Sequence, residues 1–294
     1  MTEKVLTMDD DWGTKGAQAT GAQVQQFIKS QLRDLHAKDT ELEKHIHAAT
    51  EGCYIVYVER HKNEVHAVPW WKWKELEEVR ERTLPQDGYT IPDGEIDPYE
   101  IGQIIGILVI ESGHSPIIIG KPSRSDFKWL KNPIAVNTTV GDDVSKACAD
   151  FAGKEHTAEI IAKASQLYGS DESKWSQYLT GWCHSYERSF IIDSGLKIGI
   201  AAGNWWHPSL GELLLIAKHK AAIEQCVSVI RSVDFDLILD GGMTSSTEIS
   251  AQYVWGFDYH MDDVTLLIFQ ASKTLSESCF AISAPSYIEV IDGI

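Results

Sequence analysis

The stretch from Gly203 to Ile230 reads GNWWHPSLGELLLIAKHKAAIEQCVSVI. Ser209 followed three residues later by Glu212 is a capping box, in which each side chain satisfies an amide at the start of a helix. It predicts a helix opening at Leu210. Leu210, Leu213, Leu214 and Ala217 share one face, and Ile223, Cys226 and Ile230 continue an apolar stripe. His219 and Lys220 interrupt that pattern, so two short helices are expected rather than one. Downstream, AQYVWGFDY, VTLLIFQ and ESCFAISA read as strands. Upstream, residues 53–71 alternate as a hairpin with its turn near Lys62 and Asn63, and GILVIESGHSPIIIG forms a second hairpin around Ser112, Gly113 and His114. Short helices are expected near 143–149, 158–166 and 172–186, with Thr157 and Ser170 as candidate caps. Helices beside short antiparallel strands give an expected class of α+β.

The rest of the chain divides by composition. Residues 1–50 hold a polar, acidic arm of about 20 residues and then a helix. On that helix Ile28, Leu32, Leu35, Leu42 and Ile46 form a heptad-like stripe, with Asp39 where one apolar residue is missing. The stripe needs a partner, supplied by its own domain or by further copies in a short trimeric coiled coil. Residues 101–294 form the main domain. Residues 51–100 read as a small collar of hairpin and helix, or as a β-extension of that domain.

The chain has 294 residues, 43% hydrophobic, and a formal net charge of -17. That balance speaks against a general nucleic-acid surface and against docking on anionic membranes. No window approaches a membrane span, and the first residues lack a secretory leader. The five cysteines, Cys53, Cys148, Cys183, Cys226 and Cys279, are scattered. None has metal-site spacing, and free buried thiols made in a reducing compartment are expected.

The chemical signatures are weak. GKPS at 120–123 lacks the frame of a phosphate loop. His45 and His47 point apart on a helix. His61 and His66 flank a hairpin turn. Asp234, Asp236 and Asp240 miss calcium-loop spacing. Ser245, Ser246, Thr247 and Glu248 have no G-x-S-x-G frame. After Gly241 and Gly242 they are expected to form a turn whose hydroxyls bond the backbone. No catalytic residue, metal ligand or cofactor is expected. Strand alternation sets Tyr253, Trp255 and Phe257 on one face and Gln252, Val254 and Asp258 on the other, with one face core.

The order of these segments carries a resemblance. WHPSLGEL at 206–213 and TSSTE at 244–248, with FAGKEHTAEII, WCHSY and the final CFAISA strand, resemble C-type-lectin-like domains of phage fibre or tail proteins and bacterial surface proteins. The similarity spans about residues 101–294. Trp206, Ser209, Glu212, Ser245, Ser246, Thr247 and Glu248 are the motif residues. Thr244 stands where the family usually has Trp, and the last strand lacks the usual Arg. Calcium-dependent sugar-binding segments are absent. DWGTKGAQATGAQVQQFIKSQL is similar to attachment arms of structural proteins from phages of gut bacteria. The resemblance implies a virion structural protein, a head or tail fibre or decoration, made in the host cytoplasm. It implies a homotrimer held to other virion proteins by its N-terminus. A host-surface glycan or protein is the implied partner, contacted through Tyr253, Trp255, Tyr259, His260, Asp262 and Asp263. A bacterial adhesin and a glycan-cleaving spike are the alternatives.

Overall fold

A computed structural model describes residues 18–20, 51–59, 64–75, 101–122, 127–130, 132, 134–136, 140–191, 195–230, 241–260, 265–274, 276–277, 279–285 and 289–290. The strands are β1 (Gln18–Thr20), β2 (Gly52–Glu59), β3 (Glu64–Pro69), β4 (Ile101–Ile110), β5 (Ile117–Pro122), β6 (Phe127–Lys128), β7 (Arg188–Ile191), β8 (Lys197–Ile200), β9 (Trp205–Trp206), β10 (Gly241–Glu248), β11 (Tyr253–His260), β12 (Thr265–Ser272), β13 (Ser276–Glu277), β14 (Phe280–Ser283) and β15 (Glu289–Val290). The helices are α1 (Val144–Cys148), α2 (Gly153–Tyr168), α3 (Leu179–Ser185), α4 (Leu210–Lys218) and α5 (Lys220–Val229). Residues 70–75 are also helical.

β2 shows why the large sheet forms where it does. Its residues are mainly β-branched or aromatic, and they alternate between two cores. Cys53, Ile55 and Tyr57 enter one, while Tyr54, Val56 and Val58 enter the other. Covered on both faces, the strand reads as nearly continuous apolar sequence. It sits inside a seven-stranded sheet of order β15-β3-β2-β4-β5-β14-β9. All neighbours are antiparallel except β15, which runs parallel to β3. The hairpin expected as a collar is therefore a β-extension of this sheet, because β2 pairs with β4 along its whole length. The pairing shifts register beside Gly106. A Cβ at Gly106 would lie 2.4 Å from the Ile119 carbonyl oxygen, so β5 can approach only a glycine.

A second, four-stranded antiparallel sheet has order β1-β12-β11-β10. Residues 18–20 of the expected arm supply its edge strand. The expected turn at Thr244–Glu248 is instead part of β10. Thr244 pairs with Gly256 and Glu248 with Val254, so four steps of β10 oppose two of β11. The excess residues bulge out of the ladder. One hydroxyl still makes the local bond expected of a turn, with the Thr247 amide donating to Ser245 Oγ at 3.2 Å. β11 is buried on both faces, not one. Trp255 and Phe257 lie in the core shared with α4, and Val254 lies in a separate core to which Ile160 and Ala164 of α2 also belong.

α4 and α5 fill the space between the sheets. Every residue of α4 from Leu210 to Ile216 is buried, and the two helices meet at His219, as the interrupted stripe predicted. The segment 172–186 is not one helix. A 3-10 turn at Glu172–Lys174 precedes α3. A Cβ at Gly181 would lie 2.0 Å from the Trp175 carbonyl oxygen, so the chain folds back too tightly for a continuous helix. Thr157 and Ser170 are not caps. Asp143 and Asp171 cap α1 and the 3-10 turn, and Thr157 lies within α2. The architecture is α+β and largely antiparallel. The stripe Ile28, Leu32, Leu35, Leu42 and Ile46 lies outside the described residues.

Candidate functional site

The N-terminus of α4 is the polar centre of the molecule. Both halves of the capping box are present. The Ser209 amide donates to Glu212 Oε2 at 2.7 Å, and Trp206 Nε1 donates to Glu212 Oε1 at 3.2 Å. Burial pushes the Glu212 carboxyl up to about 8, against the lowering bonds from Ser209 and Trp206 and with nearby Asp150 adding to the rise. At neutral pH it therefore holds a proton. The Ser209 hydroxyl donates to the Asp150 carbonyl at 2.6 Å. Its single proton is then used, and a protonated Glu212 supplies the proton for the 3.0 Å contact between Ser209 Oγ and Glu212 Oε2.

The bulge of β10 completes this centre. Thr247 Oγ1 accepts from the Leu210 amide at 2.9 Å and donates to Asp150 Oδ2 at 2.6 Å. The Ser246 amide donates to the Pro208 carbonyl at 2.8 Å. Ser245 donates to the Trp255 carbonyl at 2.7 Å. Glu248 pairs with Lys273 at 3.1 Å, accepts from the Val136 amide at 2.9 Å, and is fully enclosed. Lys273 also donates to the Ile134 carbonyl and lies over the Trp129 ring. WHPSLGEL and TSSTE, read separately in the sequence, thus form one network.

That network contains a serine, a histidine and an aspartate. Ser246 Oγ lies 3.4 Å from His156 Nδ1, and Asp150 Oδ2 lies 3.6 Å from the same nitrogen. A nucleophile and its orienting acid need opposite ring nitrogens for a proton to pass through imidazole. Here they converge on one, and all three residues are buried. The arrangement braces α2 against α4 and β10.

The expected contact residues separate. Trp255 is fully buried and donates from Nε1 to the Gly141 carbonyl at 3.0 Å, so it is core and not a contact. Tyr253 is 46% exposed and is available. Tyr259 and His260 end β11, opposite Leu266 and Thr265. Asp262 and Asp263 lie outside the described residues.

Two polar clusters had no sequence signal, because their members come from distant segments. At the hairpin between β4 and β5, Glu111 accepts from Lys218 and, at 2.6 Å, from His219 Nε2. Burial lowers His219, with Lys218 adding and Glu51 opposing. His114, lowered by burial and by His219, stacks on Phe151. The second cluster is a thiol pair. Scattered in sequence, Cys183 and Cys279 meet beneath β14, where both sulfurs point at the Phe280 carbonyl, at 4.0 and 3.4 Å. His207 is their neighbour, held by Thr180 at Nδ1 (3.1 Å) and by the Thr244 carbonyl at Nε2 (2.9 Å). Because a carbonyl only accepts, Nε2 carries a proton.

All five cysteines are free and buried. Among the described residues no group of three or more His, Cys, Asp or Glu side chains is arranged to hold a metal ion, and no helix is long and apolar enough to cross a membrane. Comparison with family models, with curated proteins and with solved structures gave no match.

Proposed function

We propose that the chain is a bacteriophage virion structural protein, a head or tail fibre or a decoration. Residues 1–50 attach it to the particle and join three copies through the stripe of Ile28, Leu32, Leu35, Leu42 and Ile46. Residues 101–294 form a C-type-lectin-like domain that presents a surface to the host. One observation carries this reading. The two stretches on which the resemblance rests, 206–213 and 244–248, bond each other directly through Leu210 and Thr247 and through Pro208 and Ser246. Segments that define a domain type are expected to meet in its core, and motif residues with saturated hydroxyls suit a scaffold better than a catalyst.

The host-facing contacts come from both ends of β11, from the exposed Tyr253 at its start and from Tyr259 to Asp263 at and beyond its close. An exposed tyrosine offers a flat apolar ring and a hydroxyl at small entropic cost, which suits glycan or protein contacts. Three copies on one fibre turn weak single contacts into firm attachment.

The test is a double substitution, Leu32→Asp with Leu35→Asp, which leaves β1 in place. Wild type is expected to sediment as a trimer and to enter particles. The double variant is expected to sediment as a folded monomer and to be missing from particles. A variant that still assembles and still enters particles would remove the attachment role from this helix.

A further inference from the structure

Among the described residues, the arm meets the domain at the outer edge of β12. The three residues of β1 run antiparallel along that strand and cover the first three of its eight positions, Thr265 to Leu267. β12 reads TLLIFQAS, without a charge or a proline. Such an edge is a template for another strand unless something covers it. Here the arm supplies the cover.

In a single chain only its own arm is at hand. The pairing itself does not distinguish copies, because residues 18–20 of any copy carry the same backbone. Exchange between copies therefore leaves the ladder unchanged, which makes strand swapping a low-cost route to association. Two features favour it in the assembled protein. The stripe from Ile28 to Ile46 spans fewer than three heptads and has Asp39 at an apolar position. A coiled coil that short holds its copies weakly, so a trimer built on it needs a further tie. Residues 21–51 connect β1 to β2, and extended chain advances about 3.3 Å per residue, enough to reach an adjacent copy. Once the stripe gathers three copies, each edge meets its neighbours' arms at roughly millimolar effective concentration. We propose that the edge of β12 is a strand-acceptor site, filled in the trimer by residues 18–20 of a neighbouring copy. This inference rests on the trimer of the proposed function.

The exchange reaches the proposed host contacts. Thr20, Thr265 and His260 occupy one row of the sheet, and Ala19, Leu266 and Tyr259 occupy the next. Only β12 separates the arm strand from Tyr259 and His260, with neighbouring strands about 4.8 Å apart. This end of the sheet is then built from two copies, Tyr259 and His260 from one and Gln18 to Thr20 from its neighbour. A lone domain without an arm presents it incomplete, with the edge of β12 bare.

Antiparallel partners have Cα atoms about 4.5–5.5 Å apart, within the span of a disulfide. The test places cysteines at one such pair, Ala19→Cys and Leu266→Cys. In one sample both are in the same full chain. In the other, a tagged Ala19→Cys chain is co-expressed with an untagged Leu266→Cys chain. The native thiols are free but buried. After mild oxidation with copper phenanthroline, electrophoresis without reductant should show two- and three-chain species of the double variant. The mixed sample should give a tagged–untagged pair. Peptide mapping should find the link between positions 19 and 266, and dithiothreitol should return single chains. Gln18→Cys with Leu267→Cys, the adjacent partners, gives the same reading if the first set does not fold. A double variant that sediments as a trimer yet links only within one chain, or not at all, would overturn the exchange and leave the trimer standing. A chain that sediments as a monomer would overturn both.

Discussion

Thr247 joins β10 to the first amide of α4. Its Oγ1 accepts from the Leu210 amide at 2.9 Å and passes its own proton to Asp150 at 2.6 Å. The Leu210 amide is an orphan donor of the helix start, so the side chain of one motif completes the cap of the other. Thr247→Val keeps the shape and removes both bonds. It should destabilise the fold by about 2–3 kcal/mol, since a buried amide and a buried carboxylate each lose a partner. Urea unfolding of the variant checks this.

Glu248 and Lys273 are paired with side-chain exposures of 1% and 0%. Removing one partner leaves a buried charge, which typically costs about 3–5 kcal/mol. Glu248→Ala should therefore lower the melting temperature sharply, and a second change, Lys273→Met, should recover most of the loss. Under the proposed function Glu248→Ala acts on folding and not on the host contact. Lost attachment with an unchanged melting temperature would assign Glu248 to the contact surface instead.

The buried Glu212 gives the fold a pH dependence. Its folded value, about 8, lies above the ordinary 4.5. The folded state therefore binds the proton more tightly, and stability from this group is fully present below about pH 4.5. It falls as pH rises and is lost once pH passes about 8. The effect is on the order of 3–5 kcal/mol across that window. Glu212→Gln, which copies the protonated acid, should flatten this slope. Urea midpoints of both chains between pH 4.5 and 8.5 measure it.

Gly153 opens α2, and a Cβ there would lie 2.2 Å from Glu212 Oε2 and 2.7 Å from the Ser209 amide. Gly→Ala inside a helix ordinarily stabilises by about 1 kcal/mol. Here the sign should reverse, with a loss of about 3 kcal/mol or more as the capping box is pushed apart. Circular dichroism during thermal unfolding reads the sign directly.

Local signals were legible in the sequence and long-range ones were not. The capping box at Ser209, the break at His219 and the alternation of β2 each depend on residues within one turn or one strand. Each stands where its pattern put it. Thr244–Glu248 misled because hydroxyl-rich residues after two glycines have the composition of a turn. What makes them strand is pairing with Gly256 and Val254, which local composition does not encode. Trp255 looked like a contact for a related reason. α4 covers the face of β11 that carries it, and alternation alone does not say which face of a strand a distant helix will cover. Asp150, His156 and His207 carried no signal, since their roles exist only once α2, α4 and β10 converge. The thiol pair was hidden in the same way, by the distance along the chain between Cys183 and Cys279.

Whether this chain is carried on a phage particle can be measured directly. Purified particles from a producing host culture can be examined by mass spectrometry and by electron microscopy with antibody against residues 101–294. The chain should be a stoichiometric particle component, and the antibody should decorate fibres or projections on the outside. A chain found only in the soluble fraction, with no label on particles, would contradict the proposed function.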